Sequence, residues 1–366
     1  MQYEADELAG FVINEAIKRA AVAPEEIEEV FFGNCRNVDL QTPARVCGLQ
    51  AGLPLSVPGV TIERGCGSAL SAIYLAAVMI KAGEGNVYLA GGTESCSHGP
   101  FLLEKQVKPK NSPPRFLGGR MVPQSMENLS MGMTSEKVAE KYGITREDCD
   151  RFALRSQQLG CSAWEKGCFD EQIVPIPVKR GGKEELFTQD ETLRPDTSME
   201  GLAKLKPSFK ENGVSTAGNS SPLVDGASAL VIMEKEYAIA RGIKPLATIR
   251  DFAAAGLEPS IMGMGPMVST QKLLKKTGLT LQDIDLIEIN EAFAAQSVAC
   301  CRELHLDMEK VNVNGGAISL GHPFGATGAI LTTKMVYELE RRNLHRGLIT
   351  FCLGGGQGVA MIIERE

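Results

Sequence analysis

Apolar residues recur at helical spacing over residues 4–21, where Leu8, Phe11, Val12, Ala16 and Ile17 fall on one face before Pro24 stops the run. The period then changes. Val30-Phe31-Phe32 is a short continuous apolar run closed by Gly33, and Val60-Thr61-Ile62 is another, so both predict strands. Residues 67–81 make a longer alanine-rich stretch, opened by Gly65-Cys66-Gly67, that predicts a helix. NVYLA at 86–90 reads as a strand closed by Gly91-Gly92. Helices are expected near 133–142 and 146–166, and DGASALVIME at 225–234 reads as a further strand.

The last third of the chain repeats this order. Strands are expected at 246–249, 284–289, 311–314, 348–352 and 359–363, with helices at 266–277 and 325–341. PEEIEEVFFGN is similar to LQDIDLIEIN, VTIERG to VNVNGG, NVYLAGG to LITFCLGGG, and DGASALVIMEKE to QGVAMIIERE. The chain therefore reads as an α/β protein of two similar βαβ halves. The first half takes 1–95 and 224–242, an inserted loop domain takes 96–223, and the second half takes 243–366. The second half opens with the strand PLATI, whereas the first starts directly at its helix, so one opening strand is missing.

Composition narrows the function classes. At 366 residues, 43% hydrophobic and 23% charged, the chain is an ordinary globular one with more than one core. A net charge of −7 and a single tryptophan exclude nucleic acid as an expected partner. The best apolar stretch, 67–80, falls short of the roughly 20 residues a span needs and carries serines, so no membrane span is expected. Ten cysteines show neither CxxC nor HxxxH spacing, which leaves no expected metal site. No signal or transit pattern opens the sequence and no peroxisomal tripeptide closes it, so a cytoplasmic protein with free thiols is expected. One segment runs against the acidic balance: between 101 and 123, Lys105, Lys108, Lys110, Arg115 and Arg120 face the single acid Glu104.

Four residues stand where chemistry is available. Cys66 sits in a glycine turn from strand to helix, where the helix N-terminus lowers a thiol pKa and offers N–H groups to an oxyanion. A small residue chosen for a tight turn is the plainer alternative. His322, between Gly321 and Pro323, is held by the proline and left approachable by the glycine, so it is either a base for a thiol or a solvated loop residue. Cys352 ends a strand before GGGQG; those glycines lead into another strand, which argues against dinucleotide binding. Taken alone, Cys352 reads as structural and Asn290, at a helix start, as an N-cap.

Their conjunction carries more. CGSAL at 66–70, NEAFAAQ at 290–296, NGGAISLGHPFGATGA at 314–329 and CLGGGQGVAM at 352–361 together resemble the thiolase family. AGGTES at 90–95, MGMTSE at 131–136 and STAGNSSPLVDGASAL at 215–230 resemble it too, in order, over residues 5–364. The resemblance implies the thiolase fold, a layered αβαβα arrangement, and an acyl-CoA C-acyltransferase. Cys66 then matches the acylated nucleophile, His322 its base, and Cys352 the acid/base at the α-carbon. Asn290 matches a residue that holds a water beside the histidine as one oxyanion site, and the N–H groups of Cys66 and Gly354 match the other. Arg194 and Ser221 match contacts to the adenine nucleotide and pantetheine of coenzyme A, and Met262 and Phe293 match walls near the thioester. Coenzyme A is implied as substrate and product with no tightly bound cofactor, acyl-CoA substrates as partners, and a homodimer or homotetramer as the assembly. The basic insert fits an anionic ligand.

This sequence departs from the family pattern in several places. Glu63 stands where asparagine is usual, SAL at 68–70 where SGL is commoner, and Ser130 where short-chain biosynthetic members carry histidine. The missing opening strand is implied to be central in its sheet, so that its loss would expose pairing edges on both sides. Two other readings follow from these features: a ketoacyl synthase of the same fold, against which Cys352 counts, and a catalytically impaired CoA- or lipid-binding protein.

Overall fold

The computed structural model describes residues 2–105 and 115–365. Lys108 and Lys110 of the basic segment lie outside the described residues. The first helix, α1 (Ala5–Ala20), is capped by its own sequence: Glu7 accepts the Glu4 N–H at 2.8 Å, and Ala21 ends it in a left-handed turn. Its buried face is Ala5, Ala9, Gly10, Ile13 and Ile17, rotated from the face of larger residues that the apolar pattern favours. The small residues go inward, while Phe11 stays half-buried and meets Tyr3 edge-on.

Then follow β1 (Glu29–Gly33), α2 (Pro43–Gln50), β2 (Gly59–Ile62), α3 (Ser68–Ala82) and β3 (Val87–Glu94). The insert carries α4 (Met131–Tyr142), α5 (Arg146–Glu165), the hairpin of β4 (Ile176–Arg180) and β5 (Lys183–Phe187), and α6 (Met199–Ala203). β6 (Gly226–Met233) and α7 (Lys235–Ala240) precede the second half. That half runs β7 (Thr248–Gly256), α8 (Gly265–Thr277), β8 (Leu286–Ile289), α9 (Ala294–Glu303), α10 (Ala317–Leu320), α11 (Thr327–Arg342), β9 (Arg346–Leu353) and β10 (Gln357–Glu364). The repeat seen in sequence reappears locally: a 3-10 turn precedes each equivalent strand, Pro24–Glu26 before β1 and Leu281–Asp283 before β8.

One sheet has the order β2-β1-β3-β6 and the other β7-β10-β9-β8. In each, the parallel strands are followed by one antiparallel partner, β6 beside β3 and β10 beside β9. Helices α3 and α11 lie between the two sheets, α1 and α2 cover the outer face of the first, and α8 covers the second. The layers are therefore αβαβα, with Leu70, Ile73, Phe351 and Met361 in the central core. This explains the long apolar stretch. Gly65–Ala82 is long and apolar enough to cross a membrane by length and composition, at mean hydropathy 1.5, against the expectation from sequence. Half of it is buried in the core, because α3 meets a sheet on both sides.

Two expectations need correction. The strand expected at 311–314 is reduced to isolated bridges, Ile287 with Val311 and Val313 with Gly315. The opening strand is not central. Its counterpart β7 pairs with β10 alone and sits at the sheet edge, so the equivalent place in the first sheet is beyond β6. β1 and β3 pair directly with each other, so the place of the opening strand lies beyond β6, at one edge of a sheet whose other edge is β2.

The two halves meet where backbone approaches backbone. A Cβ at Gly92 would lie 2.7 Å from the Gly325 carbonyl carbon and 3.1 Å from Ala326 Cα. Neither neighbour is a flexible side chain. Gly92→Ala is expected to lower unfolding free energy by about 2–3 kcal/mol, read as a shift in urea midpoint at unchanged m-value.

Candidate active site

Cys66 stands after β2, Asn290 after β8 and Cys352 at the end of β9, while His322 stands between α10 and α11. Cys66 follows β2 through Gly65, whose φ of +51° is left-handed, and Gly67 leads into α3. A Cβ on Gly67 would lie 2.9 Å from Val359, so only glycine lets the turn rest against β10. Gly65 in turn packs beside the Gly354 N–H, 3.8 Å from where its own Cβ would stand. This brings the loop after β9 to the Cys66 turn. The start of α11 is equally close to the start of α3, since a Cβ on Gly328 would be 2.9 Å from Leu70 Cα.

His322 is 1% exposed in the loop before α11. Its Nδ1 lies 2.7 Å from Thr327 Oγ1, and that hydroxyl donates its proton to the Pro323 carbonyl at 2.8 Å. The threonine oxygen must therefore accept from Nδ1–H, which leaves Nε2 unprotonated, an acceptor facing the Asn290 NH₂. Asn290 Nδ2 stands 3.2 Å from Nε2, while Asn290 Oδ1 has no hydrogen-bond partner among the described residues. Asn290 is placed by its own backbone, whose N–H donates to Thr350 O at 3.0 Å. Cys352, 1% exposed, packs with Met262 and Ala292, and Met131 and Phe293 close over them. Phe209 meets Phe293 edge-on at 5.9 Å.

Burial governs the protonation states. It pushes the Cys66 thiol up, with Cys352 next to it adding to the effect, and pushes Cys352 up to about 12. It pulls His322 down to about 3. Burial thus opposes the lowering of the Cys66 pKa expected from its place at a helix start.

A second feature opens beside this cluster. A cavity of about 440 Å³ is lined by Arg194, Thr197, Ser198, Gly218, Ser220 and Ile318, among others, and Arg194 is the one cation among the described lining residues. The GNSS loop is zipped to the NEAF loop: Ser221 N–H and Oγ both reach Ala292 O at 3.1 Å. Ser221 is thereby occupied, whereas the neighbouring Ser220 Oγ is buried without a partner among the described residues. No three His, Cys, Asp or Glu side chains among the described residues converge in a way that would hold a metal ion.

Residues 1–236 match the family model described as thiolase, N-terminal domain, and residues 243–365 match thiolase, C-terminal domain. The chain belongs to the thiolase family. It is 45% identical over 368 residues to an acetyl-CoA acetyltransferase of Escherichia coli, covering 98% of this chain and 93% of that one. An acetyl-CoA acetyltransferase of Syntrophomonas wolfei is 44% identical over 98% of this chain and 92% of its own length. Among solved structures, the Bacillus anthracis acetyl-CoA acetyltransferase superposes with a TM-score of 0.94 at 44% identity, over 100% of this chain and 94% of that one. Human mitochondrial 3-ketoacyl-CoA thiolase in complex with CoA superposes with a TM-score of 0.92 at 40% identity, over 100% and 93%.

In this thiolase, the structure brings Asn290 to His322, and Met262 and Phe293 to Cys352. Arg194 stands apart from them, on the cavity. Sequence reasoning missed Thr327, which fixes the histidine tautomer from five residues downstream, as well as Ser220 and Phe209, the aromatic partner of Phe293. Thr327 and Ser220 both lie inside motifs already recognised, but nothing in one sequence separates a hydrogen-bonding threonine or serine from a turn residue. Ser130 acts locally, since its Oγ accepts the Met133 N–H at 3.3 Å and caps α4.

Proposed function

We propose that this thiolase is an acyl-CoA C-acyltransferase that exchanges acyl groups through a thioester on Cys66, cleaving 3-ketoacyl-CoA with CoA or condensing two acetyl-CoA. One observation carries the reading. A half-buried thiol, a buried thiol and a neutral histidine whose Nε2 carries no proton stand on loops that pack together, beside a cavity that holds a single arginine. A Claisen exchange needs these parts: a nucleophile to hold the acyl group, its base, and a separate acid/base for the α-carbon.

In the cleavage direction, Cys66 attacks the 3-keto carbon and its proton passes to His322. The C2–C3 bond breaks, and the acetyl-CoA enolate takes a proton from Cys352. CoA then gives its thiol proton to the Cys352 thiolate and attacks the acyl-Cys66. The leaving Cys66 sulfur recovers its proton from the imidazolium. With the thiol raised and the imidazole depressed by burial, an ion pair is disfavoured before substrate enters, so proton transfer accompanies attack. Gly354 and Cys66 N–H groups serve the tetrahedral intermediate. Asn290, whose Oδ1 is free to accept from a water, serves the enolate together with His322. Arg194 and Ser221, joined by Ser220, bind the nucleotide and pantetheine, and Met262, Met131 and Phe293 enclose the acyl end.

We place the enzyme in the cytoplasm, in fatty acid metabolism, as a homodimer or homotetramer. Ten free thiols support a reducing compartment. Phe101 and Phe116, 87% and 74% exposed on the insert, support burial by another subunit. The test is thiolysis of acetoacetyl-CoA and longer 3-ketoacyl-CoA thioesters with CoA by the purified full chain. Turnover of at least one chain length is expected. CoA binding by folded protein without cleavage of any of them would leave the impaired binding protein as the answer.

A further inference from the structure

Glu94, the last residue of β3, carries a carboxylate that is 0% exposed. It accepts three backbone N–H groups: Cys35 at 3.1 Å and Gly325 at 2.9 Å on Oε2, and Arg36 at 2.9 Å on Oε1. A single oxygen therefore joins a loop of the first half, after β1, to the histidine loop of the second half. Burial raises the Glu94 pKa and those N–H groups oppose the rise.

Both ends of this clamp lead to reacting groups. The Cys35 thiol donates to Gly65 O at 3.2 Å, and Ser68 Oγ donates to the same carbonyl at 2.6 Å, so the Cys35 loop rests on the turn that carries Cys66. On the other side, Gly325 lies between His322 and Thr327. The Arg36 guanidinium stands 5.8 Å from the Phe324 ring centroid, and Phe324 meets the His322 ring edge-on at 4.9 Å. Gly33 and Gly92 lack side chains where Gly325 approaches, which lets the two loops close onto the carboxylate.

We propose that Glu94 is a positioning residue that holds His322 in register with Cys66, a role that rests on the acyltransferase reading. A carboxylate is needed because three converging N–H groups require an acceptor with no donor of its own. An amide in its place would turn an NH₂ toward one of them. The misplacement falls on the base relative to the nucleophile and leaves the Arg194 cavity untouched. A shift of about 1 Å between reacting groups costs on the order of 100-fold in rate.

The experiment is steady-state thiolysis of acetoacetyl-CoA with CoA by wild type, Glu94→Gln, Glu94→Asp and Arg36→Ala. Glu94→Gln is expected to lose roughly 10–100-fold in kcat with KM for CoA within about twofold. Glu94→Asp, which keeps the charge, should recover part of that loss. Arg36→Ala removes an exposed cation–π contact from Phe324 and should lower kcat about two- to fivefold. A folded Glu94→Gln with wild-type kcat, or one altered only in KM, overturns the proposal. If that variant does not fold, Glu94→Asp carries the test: its shorter carboxylate cannot reach all three N–H groups at once, and a wild-type kcat in it overturns the proposal. Absence of thiolysis by the wild type counts against the acyltransferase reading itself, whereas a fully active Glu94→Gln counts against the positioning role alone.

Discussion

Cys66→Ala is expected to lose thiolysis by on the order of 10⁴-fold or more, and to gain no acyl mass when the intact protein is weighed after exposure to 3-ketoacyl-CoA. The effect is large because every turnover in the proposed exchange passes through the Cys66 sulfur. The variant should fold, since Cys66 is only half-buried and the turn around it is held by Gly65, Gly67 and the Ser68 hydroxyl rather than by the thiol. Cys352→Ala is the control. Acetyl-CoA should still acetylate Cys66 in that variant, more slowly, because the CoA thiolate can leave without the Cys352 proton, while condensation is lost because nothing else removes the α-proton. Near-wild-type turnover by Cys66→Ala would remove the covalent route.

His322→Asn is expected to lower kcat by about 10²–10⁴-fold, the range for a positioned general base. It should also change stability against pH in a direction that follows from burial. In the folded protein His322 is depressed to about 3 from an ordinary value of 6.5. Below pH 6.5 the unfolded chain therefore binds one proton that the folded chain refuses, and stability falls as pH drops toward 3. The contribution is about 1.36 kcal/mol per pH unit within that window and absent above it. Urea midpoints measured between pH 6 and pH 4 should fall less steeply in His322→Asn than in wild type. Equal slopes would show that the histidine is protonated in the folded state.

Much of this architecture is legible without coordinates, for identifiable reasons. Glycine punctuation at Gly33 and at Gly354-Gly355-Gly356 marks strand ends, whereas β3 runs on through Gly91-Gly92 to Glu94, and the internal repeat pairs β1 with β8, β3 with β9 and β6 with β10. Some features resist. The 311–314 segment has strand-like composition but makes only bridges, because pairing depends on what lies beside it. The inward face of α1 is set by how near α2 and β6 approach, which favours Ala9 and Gly10 over Leu8 and Phe11. Glu94 looks like any acid in AGGTES until two loops, distant in sequence, point their N–H groups at it.

By itself the sequence determines that this is an α/β chain of two similar halves with an insert, and it singles out Cys66, Asn290, His322 and Cys352. These follow from local causes: apolar period, glycine placement, and motifs a few residues long. Tertiary structure alone decided which strand place is at the edge, which tautomer His322 holds, and whether a thiol at a helix start is easy or hard to ionise. Those outcomes depend on pairing, on hydrogen-bond partners brought from elsewhere in the chain, and on the exclusion of water, none of which short-range sequence encodes.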